Sequence, residues 1–467
     1  LLIKELERLL GPGRVISDPV DLMYYSYDRS FLARLNRYIP DAVVTPRSTS
    51  EVSAVMKFAY EKRIPVTPRG AGTGETCGSV AIRGGIVMDL SPWNTIEEVD
   101  VPNMQVIVRP GVVHAKLNEH LSQFGMFFPP DPGSTRMCTI GGMVANNASG
   151  LRAVKYGCTE QYVLGLEVVL PNGEVIVTGG VNSRAVKSVS GMNLTKLFVG
   201  SEGILGIITG IRLRIWPKPK ARGIVMSVYS SLDDAPASVL EVYQEGILPS
   251  GIEILDQSAI KAVNMYRPDI NLPDAEAILL FEVDGNPDSV EWEGQKICEV
   301  ARRRASQVEW ATDPKRMASL WEGRSVVATA AARVRPDGSR VFAGEDISVP
   351  LSKVAEVLRA IRALGERHGV KVVNYGHIGD GNVHTAPVID PERPDEIEMA
   401  NRLVDDIHRL SVTLGGTTTG EHGVGAVRVQ YAELDHGAAV GTMRLIKQVL
   451  DPRGIMNPGK LVPMEEA

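Results

Sequence analysis

The run "IPVTPRGAGTG" at 64–74 sets Gly70, Gly72 and Gly74 on alternate positions directly after a short apolar strand. A chain that leaves a strand this way can turn its backbone N–H groups toward one point, as glycine-rich loops do around a pyrophosphate. The spacing is neither Gly-x-Gly-x-x-Gly nor a loop bearing the Walker lysine, so those two phosphate-binding designs are excluded. On its own the run also suits a tight turn. Two further loops weigh against that plainer reading. "PPDPGSTRMCTIGGMVANNASG" at 129–150 opens at Gly141–Gly142 into small polar residues ending at Asn147, Ser149 and Gly150, and "FVGSEGILGIIT" at 198–209 supplies Glu202 and a backbone edge at Ile207–Ile208. The first two such loops can enclose an extended dinucleotide from both sides.

Around these loops, "DAVVTP", the helical "STSEVSAVMKFAYEKR" and "IPVTPRG" read as strand, helix, strand. Later β-branched runs are broken by Pro-Asn and Asn-Gly turns, which predicts antiparallel hairpins and an α+β class. Pro-Lys-Pro at 217–219 ends a strand and marks a boundary. Beyond it, "IVMSVYSS", "SGIEILD" and "AILLFEVDG" alternate with helical segments, predicting a second sheet with helices on one face. A chain of 467 residues exceeds one ordinary core. The expected division is 1–220, 221–419 and 420–467, the last segment packing back on the rest.

The 50 basic and 56 acidic residues are interspersed, with a net charge of −6 and no basic block, which excludes nucleic acid as a partner. The opening "LLIKELERLL" reads as an amphipathic helix, not a signal peptide, and no run reaches the roughly 20 apolar residues of a membrane span. Four scattered cysteines suit a reducing compartment and cannot hold an iron–sulfur cluster. A cytoplasmic protein is expected.

The other feature that carries chemistry is "NYGHIGDGNVH" at 374–384, followed by "TGEHGVG" at 419–425. His377 and His384 are seven apart, so one continuous strand would point them to opposite faces. The Gly-Asp-Gly turn resets that parity, and two short strands can present both imidazoles to one point. Glu421 can complete a two-histidine, one-carboxylate set while His422 faces a substrate. Hydrogen-bonded loop histidines are the alternative.

Together, "PRGAGTG", "PPDPGS…TIGGMVANNASG…KYG", "FVGSEGILGIIT", "GHIGDGNVH" and "EHG" resemble the flavoproteins of the vanillyl-alcohol oxidase and p-cresol methylhydroxylase type. The branch is that of D-lactate dehydrogenases and glycolate oxidase flavin subunits, and the resemblance spans nearly the whole chain. It implies a two-subdomain FAD-binding domain of the p-cresol methylhydroxylase type and an α+β substrate (cap) domain with an antiparallel sheet. It places FAD against Arg69, Gly70, Ala71, Gly72, Thr73 and Gly74, and against Ser134, Thr139, Gly142, Asn146, Ser149 and Gly150. Glu202 and Ile208 of the third loop join that set. The first loop has no histidine, so the flavin is expected to be non-covalent.

The same resemblance implies a divalent metal (zinc, alternatively manganese or iron) on His377, His384 and Glu421, with His422 as catalytic base and a substrate ligand. Arg324, in "LWEGRSVVATAA", stands where the family has its substrate arginine; an ion pair with Glu322 is its alternative. Asn382 is expected to hydrogen-bond beside the substrate. The reaction implied is oxidation of a 2-hydroxy acid: the base takes the hydroxyl proton and the C2 hydrogen leaves as hydride to the flavin. The 2-hydroxyglutarate branch has a lysine and an asparagine where this chain has Gly344 and Ala386, which favours D-lactate, then glycolate, over a dicarboxylate. The electron acceptor implied is external: an iron–sulfur subunit, an electron-transferring flavoprotein, a cytochrome or a quinone. Either a homodimer or a hetero-complex is compatible, as is membrane association through a partner. Competing readings are a flavin oxidase using O₂, a D-2-hydroxyglutarate dehydrogenase, and a structural subunit with a vestigial site.

Overall fold

The computed structural model describes residues 2–340 and 346–464. The chain divides into two compact units, one formed by residues 1–149, 158–218 and 422–467, the other by 150–157 and 219–421. Compared with a division at 220 and 419, the octapeptide 150–157 joins the second unit from within the first.

Two larger sheets build the first unit, beside a two-stranded ribbon of Met126–Phe127 and Trp216–Pro217. In one, Val15–Ile16, Ala42–Val44, Ile86–Asp89 and Val66–Arg69 lie in that order, the last three mutually parallel. The helix Thr49–Lys62 links two of them; Ser48 caps its start by accepting from Glu51 N, and Arg63 ends it in the left-handed region at φ 54°. Val52, Val55, Met56 and Ala59 bury the inner stripe of this helix against Ala42, Val44, Ile86 and Met88. The second sheet is antiparallel, in the order Ile96–Asp100, Gln105–Val108, Ile207–Arg214, Val163–Val169, Val175–Val177. The C-terminal segment packs back on this unit: Met456 bridges Val66, and Asn457 Nδ2 donates to the carbonyls of Gly78 and Glu202 at 3.0 and 2.8 Å.

The second unit is built on one antiparallel sheet. Its order is Gln307–Ala311, Ala221–Tyr229, Ala277–Gly285, Gly251–Asp256, Lys371–His377, Asn382–Ile389, Ser339–Arg340, and Ile347–Ser348 also pairs with Asn382–Ile389. Helices were expected on one face only, but Gly251–Asp256 is buried at every residue, so both faces are covered. Val228 packs with residues of the helices Gln257–Tyr266 and Pro314–Ala331. Gly223, of opposite parity on the same strand, lies under Trp310, as does Gly294 of the helix Pro287–Ala301. A strand alternates its side chains between faces, so these helices lie on opposite sides of the sheet.

Candidate functional site

In the first unit, the strand Val66–Arg69 runs directly into the glycine loop. Arg69 is buried, donates from Nη1 to the carbonyls of Tyr27 and Ser79 at 3.0 and 3.3 Å, and lies over the ring of Tyr25. A Cβ at Gly70 would stand 2.3 Å from Thr139 Oγ1, and one at Gly72 would stand 2.3 Å from Arg69 Nη2. The first two loops therefore meet where only hydrogen fits. A Cβ at Gly74 would meet nothing within 4 Å, and Ala71 and Thr73 are partly exposed. This backbone-rich cradle fits the phosphates of a dinucleotide.

Thr139 caps the helix Ile140–Asn146 by accepting from Gly142 N, and Ser134 opens the preceding turn, its carbonyl accepting from Met137 and Cys138. Ser149 is buried, while Gly150 belongs to the second unit. The third loop is laid against that helix by bonds from Gly200 N to Val144 O and from Glu202 N to Ala145 O. Ile208 is buried opposite Val168 in the antiparallel sheet. Glu202 accepts from Val424 N and Gly425 N at 2.8 and 2.7 Å, which holds the turn after His422. Burial outweighs these two bonds and pushes the Glu202 carboxyl up from its ordinary range. His422 Nδ1 stands 3.7 Å from Glu75 Oε2, whose other oxygen lies 3.3 Å from Arg29.

In the second unit, the strands Lys371–His377 and Asn382–Ile389 form a hairpin around residues 378–381, with Gly381 at φ 77°. The register pairs Tyr375 with His384 and His377 with Asn382, so the two histidines are diagonal neighbours on one face. Their rings meet edge to face at 4.9 Å. Glu421 Oε1 lies 3.2 Å from His377 Nε2 and 3.5 Å from His384 Nε2. One ligand atom from each of the three falls within 4.8 Å of the others, and both imidazoles are buried. Two nitrogens and a carboxylate oxygen so placed are a donor set that fits a divalent transition ion. Asn382 Nδ2 donates to Asp346 Oδ1 and Ile347 O at 2.7 and 2.9 Å, and its Oδ1 is buried without a partner among the described residues.

Two buried acids stand behind these groups, and neither was among the residues expected from the sequence. Glu253 faces His377 across the sheet register, its Oε1 lying 2.5 Å from His377 Nδ1. Burial opposes a charge on His377, but Glu253 and Glu421 together outweigh it and push the imidazole pKa well above its ordinary value. Asp346 Oδ2 accepts from Thr419 Oγ1, Gly420 N and Glu421 N at 2.8, 3.0 and 2.9 Å, which fixes the backbone that carries Glu421. Arg324, on the helix Pro314–Ala331, donates from Nε to the other Glu253 oxygen and lies 5.0 Å from the Tyr375 ring. The alternative partner, Glu322, accepts from Arg267 at 2.9 Å. Burial raises the Asp380 carboxyl to about 6 even beside His377. Ala386 is fully buried in an apolar cluster with Val373 and Tyr375, whereas Gly344 lies outside the described residues.

Comparison with known proteins agrees with this arrangement of loops and sheets. Residues 40–179 match the FAD binding domain family, and residues 218–461 match the family described as FAD linked oxidases, C-terminal domain. Over 461 residues the chain is 36% identical to the glycolate oxidase subunit GlcD of Bacillus subtilis, covering 98% of this chain and 96% of that one. Over 464 residues it is 37% identical to the mitochondrial D-lactate dehydrogenase (cytochrome) of Arabidopsis thaliana, covering 99% of this chain and 80% of the relative. A D-lactate dehydrogenase of Archaeoglobus fulgidus is 36% identical over 424 residues, covering 90% and 91% of the two chains. Among solved structures, p-cresol methylhydroxylase with substrate bound superposes with a TM-score of 0.78 at 17% identity, covering 98% of this chain and 95% of that one. At that identity the likeness bears on the fold alone, and the fold is the α+β arrangement expected from the sequence. With both of its domains matched and relatives similar along nearly their whole lengths, the chain belongs to the FAD-linked oxidase family and is an oxidoreductase.

Proposed function

We propose that the chain oxidises a small D-2-hydroxy acid, D-lactate in the first place and glycolate next, to the 2-oxo acid. Electrons pass from non-covalently bound FAD to an external carrier. The observation that carries this reading is the His377, His384 and Glu421 set, its two imidazoles buried, linked through Glu253 to an arginine. When bound, FAD is the two-electron acceptor and the divalent metal (zinc, alternatively manganese or iron) a Lewis acid toward the substrate's hydroxyl and carboxylate oxygens.

His377, His384 and Glu421 would hold the metal, and the loops from Arg69 to Gly74 and from Ser134 to Gly150, with Glu202 and Ile208, would hold FAD. Arg324 spends Nε on Glu253, which keeps its two terminal nitrogens as a fork for the substrate carboxylate. His422 takes the hydroxyl proton on Nε2, and the Glu75 carboxylate near Nδ1 steadies the cation that results. Asn382, fixed by Asp346, orders the hydrogen bonds around the substrate. The apolar surroundings of Ala386 give a second carboxylate no partner, which disfavours 2-hydroxyglutarate.

The names of the relatives, one a subunit and one a cytochrome-linked dehydrogenase, support an electron-accepting partner. The proposed partner is an iron–sulfur subunit or an electron-transferring flavoprotein. The protein would then work as a hetero-complex, or as a homodimer that meets its carrier transiently. Among the described residues no helix is long and apolar enough to cross a membrane. A cytoplasmic location, with any membrane association through a partner, is part of the same proposal. Metal analysis of purified protein with His384→Ala tests the reading. The variant is expected to lose at least about tenfold in metal affinity and about 10² in turnover of D-lactate. Full metal content with full turnover would contradict the site.

A further inference from the structure

Glu253 is an acid set between Ile252 and Ile254 in the strand Gly251–Asp256, and it has no exposed surface at all. Acids this deeply buried are paired. This one is paired twice and by different oxygens: Oε1 with His377 Nδ1 at 2.5 Å, Oε2 with Arg324 Nε. The two partners come from different elements, the strand Lys371–His377 and the helix Pro314–Ala331. On the reading above, one of them holds the metal and the other the substrate carboxylate.

We propose that Glu253 is a positioning residue shared by the two, so that the metal ligand and the substrate anchor are set by a single carboxylate. With Nδ1–H donating to Glu253, His377 is held with Nε2 turned toward Glu421, and on giving up its Nε2 proton the ring would offer that lone pair to a cation. Carboxylate–histidine pairs of this kind fix the ring and raise its basicity as a ligand. The other oxygen fixes the guanidinium plane and so the direction of the fork that meets the substrate. Both partners donate, so both oxygens must accept. An amide has one acceptor and one donor, and Glu253→Gln therefore sets an N–H against one of the two partners and leaves the remaining bond without its charge.

The inference rests on the proposed metal site, and the test separates the two. FAD-loaded wild type, Glu253→Gln and His384→Ala are titrated with Zn²⁺ and with Mn²⁺ in competition with a chelator. KM and kcat for D-lactate are then measured at saturating metal. Glu253→Gln is expected to weaken metal binding about 10- to 100-fold. At saturating metal its KM should rise about tenfold or more, with a smaller fall in kcat. Unchanged metal affinity, or unchanged KM, in Glu253→Gln overturns the shared role. Equal metal binding by wild type and His384→Ala would instead overturn the site beneath it.

A second variant keeps the proposal testable if Glu253→Gln does not fold. Arg324→Gln frees Glu253 to serve His377 alone and should tighten metal binding about threefold or more, although Arg324 is not a ligand. No change in that variant overturns the coupling. Where both single variants fold, the effect should vanish when Arg324→Gln is made on the Glu253→Gln background, and its persistence there would assign it to charge alone.

Discussion

Burial pulls the His114 imidazole down to about 4, in a site closed by the Phe128 ring and by Asn118 and Thr135. The ring is neutral in the folded protein, whereas in the unfolded chain it takes a proton near its ordinary 6.5. Its contribution to stability is complete above about pH 6.5 and is lost as the pH falls toward 4, in total about 3 kcal/mol. Urea unfolding of the first unit, followed by amide exchange at pH 7 and pH 5, should show this slope, and His114→Gln should flatten it. An equal slope in the variant would refute the assignment. At this scale the sequence showed what a motif can show. Glycines and histidines at odd spacings stand out because few other residues can do their work. Glu253 and Asp346 do not stand out, because an acid becomes a support only through strand register, and register is not written locally. The one available signal was a glutamate flanked by isoleucines inside the run "GIEIL".

The same signal recurs on the neighbouring strand. Ala277–Gly285 is buried at all but its last residue yet carries Glu282 and Asp284. Arg152 meets Glu282 with two parallel bonds, Nε to Oε1 at 2.6 Å and Nη2 to Oε2 at 2.9 Å. Lys155 Nζ and Tyr156 Oη donate to Asp284 at 2.7 and 2.8 Å. These pairs are why the octapeptide 150–157 lies with the second unit, although its sequence continues the second glycine-rich loop. Breaking a buried, hydrogen-bonded pair strands a charge and costs about 3–5 kcal/mol. Arg152→Met should accordingly lower amide-exchange protection along Ala277–Gly285 by about that much, and unchanged protection would show that the pairs do not anchor the segment. Sequence periodicity found the strands and most helices, since apolar spacing is local. It missed the second layer of helices, because a strand buried on both faces and one buried on a single face differ only in how much of the alternation survives.

For the molecule as a whole, the loops, the hairpin and the return of the C-terminal segment converge on one family of flavin-dependent oxidoreductases. Family and fold were legible because several motifs in fixed order leave few alternatives. The substrate and the electron acceptor were less so, since a substrate is chosen by pocket shape and an acceptor by surfaces that no short motif encodes. The most direct measurement is anaerobic mixing of the FAD-loaded, metal-replete protein with D-lactate while the flavin band at about 450 nm is followed. D-lactate should bleach the band rapidly, glycolate more weakly and D-2-hydroxyglutarate little, with slow return of colour in air and fast return with an artificial electron carrier. A flavin band left unchanged by all three acids would contradict the proposed oxidation.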